Sequence, residues 1–154
     1  MRAFLSYSLN DQDQFILTLL SSELRRKNFQ ITQSNDFNSE MSSLTKVNIN
    51  KAQLFIGIIT GDGYETQRVQ KEWRLANVAN IPSILLVEDS VPVDPNFKFP
   101  YITFSRNNPH SAVQILNRKM EVMKNKTSQD SNTWAWLLGG AAVLAIIGML
   151  SNDD

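Results

Sequence analysis

The chain has 154 residues, 42% of them hydrophobic, and no cysteine; it can enclose one ordinary core, and disulfide stapling and thiolate chemistry are excluded. Fifteen Lys and Arg balance fifteen Asp and Glu overall, but all the bases lie at or before Lys126, where they face twelve acids for a net +3. That charge is spread over several segments, whereas a nucleic-acid surface needs a clustered basic face, so no nucleic-acid partner is expected.

The opening MRAFLSYS lacks the apolar run and cleavage pattern of a secretory signal. Within it AFLSYS (3–8) reads as a short strand. Asn10 and Asp11 offer N-cap chemistry to a helix in DQDQFILTLLSSELRRK, where Ile16, Leu20 and Leu24 recur at i, i+4 and i+8 and basic residues fill the last turn. FQIT (29–32) is predicted as a second strand. The polar loop QSNDFNSE follows, with Asp36 and Glu40 expected to be solvated, and then a short helix around 41–51. LFIGIIT (54–60) is an unbroken apolar run bounded by Gly61-Asp62-Gly63, as for a central strand covered on both faces. A helix through RVQKEWRLAN (68–77) precedes a strand at SILLVE (83–88). A Pro-punctuated loop (91–100), a strand at YITFS (101–105) and a last helix from Pro109 to Lys124 complete the pattern. Five strands alternating with helices predict an α/β, doubly wound, five-stranded parallel sheet of flavodoxin-like order 2-1-3-4-5 over residues 1–124.

After a polar linker, NKTSQDSNT (125–133), comes WAWLLGGAAVLAIIGML (134–150), seventeen residues without a charge. At ~1.5 Å per residue it spans about 26 Å, the short end for a ~30 Å bilayer core. Trp134 and Trp136 open it as an interfacial pair would, so one C-terminal transmembrane helix is expected. Arg118, Lys119, Lys124 and Lys126 precede it and only Asp153 and Asp154 follow, which places the N-terminal domain in the cytoplasm, tethered to the inner membrane. Ala135 with Gly139 and Ala141 with Ala145 are small-xxx-small pairs suited to close helix approach.

Glu72 is the residue that composition does not account for. Val69, Trp73, Ala76 and Ala79 make an apolar stripe, and Glu72 falls on it. An unpaired polar group held there costs on the order of 2–7 kcal/mol. Pairing with Arg68 or Lys71 is the bland account. Ligands in doubly wound sheets bind at the switch point, here between the strands ending near Ser8 and Thr60, so Ser6, Ser8 and Glu72 are expected around one crevice. Ser6 and Ser8 compete with a helix-capping role. The only histidine, His110, has no nucleophile or second ligand arranged with it, so neither a catalytic triad nor a metal site is expected.

FLSYS, Asp11, a helix ending INKAQ, LFIGIIT, VQKEW with Ala76, and IPSILLV, in that order, resemble a bacterial Toll/interleukin-1 receptor (TIR) domain over roughly residues 1–120. The resemblance implies cleavage of NAD+ as substrate, with no cofactor. Glu72 is then the catalytic carboxylate, contacting the ribose hydroxyls and stabilising an oxocarbenium-like transition state. Phe4 and Ser6 match strand positions lining the nucleotide site in such domains, and the 33–41 loop matches the one that folds over it. Trp73 is either core or a stacking wall for NAD+. Thr66 and Arg68 stand six and four residues before Glu72, where the family often carries Ser and Trp, and the loop lacks the family's Pro-Gly turn. The implied function is a membrane-anchored NAD+-cleaving enzyme of antiphage defence that releases nicotinamide, with an ADP-ribose-derived signal as one product and other TIR domains as self-association partners. The alternatives are a non-catalytic TIR adaptor, or a nucleotide-sensing effector that disrupts the bilayer through its tail.

Overall fold

Strands at Arg2–Tyr7 (β1), Gln30–Gln33 (β2), Leu54–Ile59 (β3), Ser83–Glu88 (β4) and Ile102–Phe104 (β5) alternate with helices at Gln14–Arg26 (α1), Ser43–Asn50 (α2), Thr66–Val78 (α3) and His110–Thr127 (α4). The structure, a computed structural model, describes residues 1–8, 14–34, 36, 40–61, 66–97 and 101–127, with side chains to residue 121. Every strand pair is parallel and the order is β2-β1-β3-β4-β5, the flavodoxin-like arrangement. No helix among the described residues is long and apolar enough to cross a membrane; residues 125–127 of the expected linker continue α4 instead, while the expected span at 134–150, linker residues 128–133 and the expected N-cap at Asn10 and Asp11 lie outside the described residues.

Side-chain alternation along the strands builds two cores. Ala3, Leu5, Leu54, Ile56, Ile58, Ile84 and Leu86 face one way and pack with Leu20 and Leu24 of α1 and Leu116 of α4. Phe4, Phe55, Ile59, Leu85 and Val87 face the other way and pack with Ile49 of α2 and Val69, Trp73 and Ala76 of α3. β3 and β4 are buried at every position, the physical reason their sequences are unbroken apolar runs. Asn28 and Asn80 follow α1 and α3 with φ of 64° and 56°. Each lets the next residue bond back into its helix, Phe29 N–H to Leu24 O at 3.0 Å and Ile81 N–H to Ala76 O at 2.9 Å. These left-handed caps turn the chain directly into or toward the next strand.

Gly57, in the middle of β3, sets how closely α3 approaches the sheet. A Cβ there would lie 2.8 Å from Leu85 Cδ1 and 3.3 Å from Val69 Cγ1. The leucine end can turn aside, but the branched Val69 is fixed to the helix that carries Glu72. Overpacking costs about 1–3 kcal/mol, more than the ~0.4–1 kcal/mol that alanine gains through the unfolded chain. Gly57→Ala is therefore expected to lower the thermal midpoint; an unchanged or higher midpoint would show that α3 is not held at this distance.

Candidate active site

Ser6 has the same parity as Phe4 on β1 and so faces the layer formed by α2 and α3. Its strand partner Gly57 adds no side chain to fill the space. Leu5 pairs with Gln33 of β2, and one further step along that register sets Ser34 beside Ser6. Both serines lie beneath Glu72, and all three are buried, with Glu72 fully enclosed. The Ser6 hydroxyl donates to Glu72 Oε2 at 2.5 Å and the Ser34 hydroxyl to Oε1 at 2.6 Å. Arg68, one turn earlier on α3 and 9% exposed, donates Nη1 to Oε1 at 3.4 Å and Nη2 to the Tyr7 carbonyl at 2.6 Å. The carboxylate thus meets donors from the ends of β1 and β2 and from its own helix, a set that offsets its burial.

A second acid stands nearby. Asp36, expected to be solvated, is buried instead. It accepts from the Ser42 N–H at 2.8 Å, and Ser42 in turn caps α2 by accepting from Thr45 N–H at 3.1 Å. Burial pushes the Asp36 carboxyl up, but hydrogen bonds from Thr45 and Ser42 and the charge of Arg68 outweigh it and hold the group below the usual aspartate range. Two carboxylates therefore act on one guanidinium.

Of the residues singled out in the sequence, Ser6 and Glu72 are brought into contact. Ser8 ends β1 differently: its hydroxyl accepts from Thr60 N–H at 3.3 Å, tying the end of β1 to that of β3. Neither serine caps α1 among the described residues. Phe4 stacks on Phe55, with ring centres 5.8 Å apart, and Trp73 packs against Phe97 at 5.8 Å, both within the core under α3. Ser34 and Asp36 had no sequence signal of their own; a strand register placing Ser34 level with Ser6 is what would have found the first.

A separate acidic site lies on the same carboxyl edge of the sheet, on its β4–β5 side. Glu88, at the carboxyl end of β4, accepts from Arg106 Nε at 2.8 Å and Nη2 at 3.1 Å and from Gly61 N–H at 2.8 Å. It clips the turns after β3 and β5 to β4. Burial pushes this carboxyl up, and the bonds from Arg106, Gly61 and Ser90 more than reverse that, leaving it below the ordinary value. A depressed folded value means stability fully present above the unfolded value of ~4.3 and lost as pH falls through the folded one. Glu88→Gln is expected to cost about 1–3 kcal/mol at pH 7, because Arg106, 35% exposed, can rehydrate. The gap from wild type in urea unfolding closes as the medium is made more acid; a gap independent of pH would contradict this account.

No family model matches the chain, and no curated protein does. Among solved structures it is similar to the CMP N-glycosidase BcmB of Clostridium botulinum, with a TM-score of 0.57 and 18% identity. The match covers 76% of this chain and 99% of that one. The likeness is one of fold.

Proposed function

We propose that this chain is a TIR-type NAD+ glycohydrolase, tethered to the membrane by residues 134–150, in which Glu72 is the catalytic carboxylate. The observation that carries the reading is the enclosed Glu72 carboxylate, held by Ser6 and Ser34 where β1 and β2 end. The similarity to a CMP N-glycosidase supports the broader class, hydrolysis of a nucleotide N-glycosidic bond. The tether and the link to antiphage defence rest on the sequence and the TIR resemblance.

The residues around Glu72 favour NAD+ over a neutral nucleotide. The described polar neighbours are two serines, an arginine and Asp36. Asp36 is held ionised, and serine and arginine side chains are poor proton donors to a leaving base. A neutral pyrimidine needs protonation to leave, whereas a pyridinium departs as neutral nicotinamide by taking the C1′–N electron pair. Two carboxylates against one guanidinium also suit the cationic pyridinium end of NAD+. As the bond breaks, positive charge grows on the ribose and Glu72 opposes it. Water then adds to C1′, giving ADP-ribose and releasing one proton.

Glu72 is enclosed in this state, so substrate entry has to replace one of its bonds. The contact from Arg68, at 3.4 Å, is the longest and is the one a ribose hydroxyl replaces most cheaply. The test is the full chain in detergent micelles with NAD+ or CMP, following free nicotinamide and free cytosine by chromatography. Nicotinamide without cytosine is the expected result. Cytosine release would move the protein to the neighbour's chemistry, and release of neither would remove the enzymatic reading.

A further inference from the structure

The opposite flank of α3 lines a cleft that the Glu72 site does not use. Gln70 and Glu72 are two residues apart, about 200° round the helix at ~3.6 residues per turn, so they face different ways. Thr66, Gln70 and Arg74 recur at i, i+4 and i+8 and form one wall of a cavity of about 270 Å³. The loop after β4 forms the other wall, with Asp94, Asn96 and Phe97 on it. The floor is Ile59 at the end of β3 with Leu85 and Val87 of β4, all nearly inaccessible to water.

The cleft is preformed. Asp94 holds its loop in a turn, accepting from Asn96 N–H through Oδ1 and from Phe97 N–H through its carbonyl, each at 2.8 Å. Phe97 is braced between Trp73 and Tyr101, with ring centres 5.8 and 6.0 Å away. Among the described residues, the side chains of Thr66, Gln70, Arg74 and Asn96 have no hydrogen-bond or ion-pair partner. Polar side chains without protein partners converge over an apolar floor, the composition of a small-molecule site. Its volume lies just below the ~300–1,000 Å³ usual for such sites, the scale of a compact ligand.

We infer that this cleft binds a nucleoside 5′-monophosphate. A flat base lies against Phe97, above the apolar floor. Its edge, carrying both donors and acceptors, is read by the Gln70 carboxamide, which offers both. Asp94 keeps one carboxylate oxygen for the sugar hydroxyls. Arg74, about 12 Å along the helix from Thr66 at ~1.5 Å per residue, receives the phosphate, the anion that a guanidinium fork fits best. The site is separate from the one proposed for NAD+ cleavage, and binding here does not depend on that reading.

The test is titration calorimetry of the full chain in detergent micelles with AMP, adenosine and inorganic phosphate. AMP is expected to bind with one saturable heat, and adenosine and phosphate each roughly tenfold more weakly or worse, as for loss of one charge-assisted contact. Arg74→Ala brings AMP down to the adenosine level, while Arg74→Lys retains part of the preference. Arg74 is exposed, so an unchanged thermal midpoint verifies that these variants fold. Glu72→Gln leaves AMP binding as it was. Absence of a saturable AMP heat, AMP affinity indifferent to Arg74→Ala, or AMP affinity lost on Glu72→Gln would each overturn the inference.

Discussion

Replacement of Glu72 by glutamine is expected to lower nicotinamide release from NAD+ by about 10³-fold with the protein still folded. A carboxylate ~4 Å from a developing unit charge, at an effective dielectric near 20, supplies about 4 kcal/mol, and each ~1.4 kcal/mol is tenfold in rate. Glutamine has the same shape but no charge, so it removes this stabilisation and little else. Its carbonyl still accepts from Ser34 and Arg68, and the Ser6 hydroxyl turns to accept from the amide instead of donating to Oε2. Arg68 keeps the Tyr7 carbonyl and the charge of Asp36, which holds the folding loss to about 1–3 kcal/mol. The loss should fall on kcat more than on KM, because the charge acts where the ribose becomes cationic. Single-turnover rates and the thermal midpoint, measured on one preparation, separate the two effects. A fully active glutamine variant would leave Glu72 as a structural acid and remove the proposed mechanism.

The five strands and four described helices were legible because each local signal agreed with the global fold. SILLVE is β4 residue for residue, and LFIGIIT differs from β3 only at Thr60. Hydrophobic runs of that length have no competing way to bury themselves beneath two layers of helices. Glu72 was legible because a charge on an apolar stripe conflicts with its surroundings, and such conflicts gather at functional sites. The rest of the site depends on register. Ser34 lies 38 residues before Glu72 in sequence and meets it only because β2 pairs with β1 so that Gln33 stands beside Leu5. A shift of one residue would have pointed Ser34 to the other face. Asp36 looked solvated for a similar reason. Its burial goes with the bond it accepts from Ser42 N–H at the α2 cap, and nothing in the composition of QSNDFNSE encodes that contact.

Removing Arg68 is expected to damage folding more than removing the charge of Glu72. The guanidinium is 9% exposed and Glu72 not at all. Arg68→Met leaves a fully enclosed carboxylate with only two hydroxyl donors, and breaking a buried pair in this way costs about 3–5 kcal/mol. Set against a total stability of ~5–15 kcal/mol, that is enough to unfold a sizeable fraction of the protein at 37 °C. The long 3.4 Å contact argues for the lower end of the range, as does the hydroxyl support from Ser6 and Ser34. The double variant Arg68→Met with Glu72→Gln removes both charges and should be more stable than Arg68→Met alone, since a neutral pair of similar shape needs no compensation. Asp36 provides the control. It interacts with Arg68 but is held chiefly by Ser42 and Thr45, so Asp36→Asn should recover little of the loss. Urea unfolding of the wild type, the two single variants and the double closes the cycle. A coupling near zero would mean that Arg68 serves the Tyr7 carbonyl and the loop, and that the two serines alone hold the carboxylate in place.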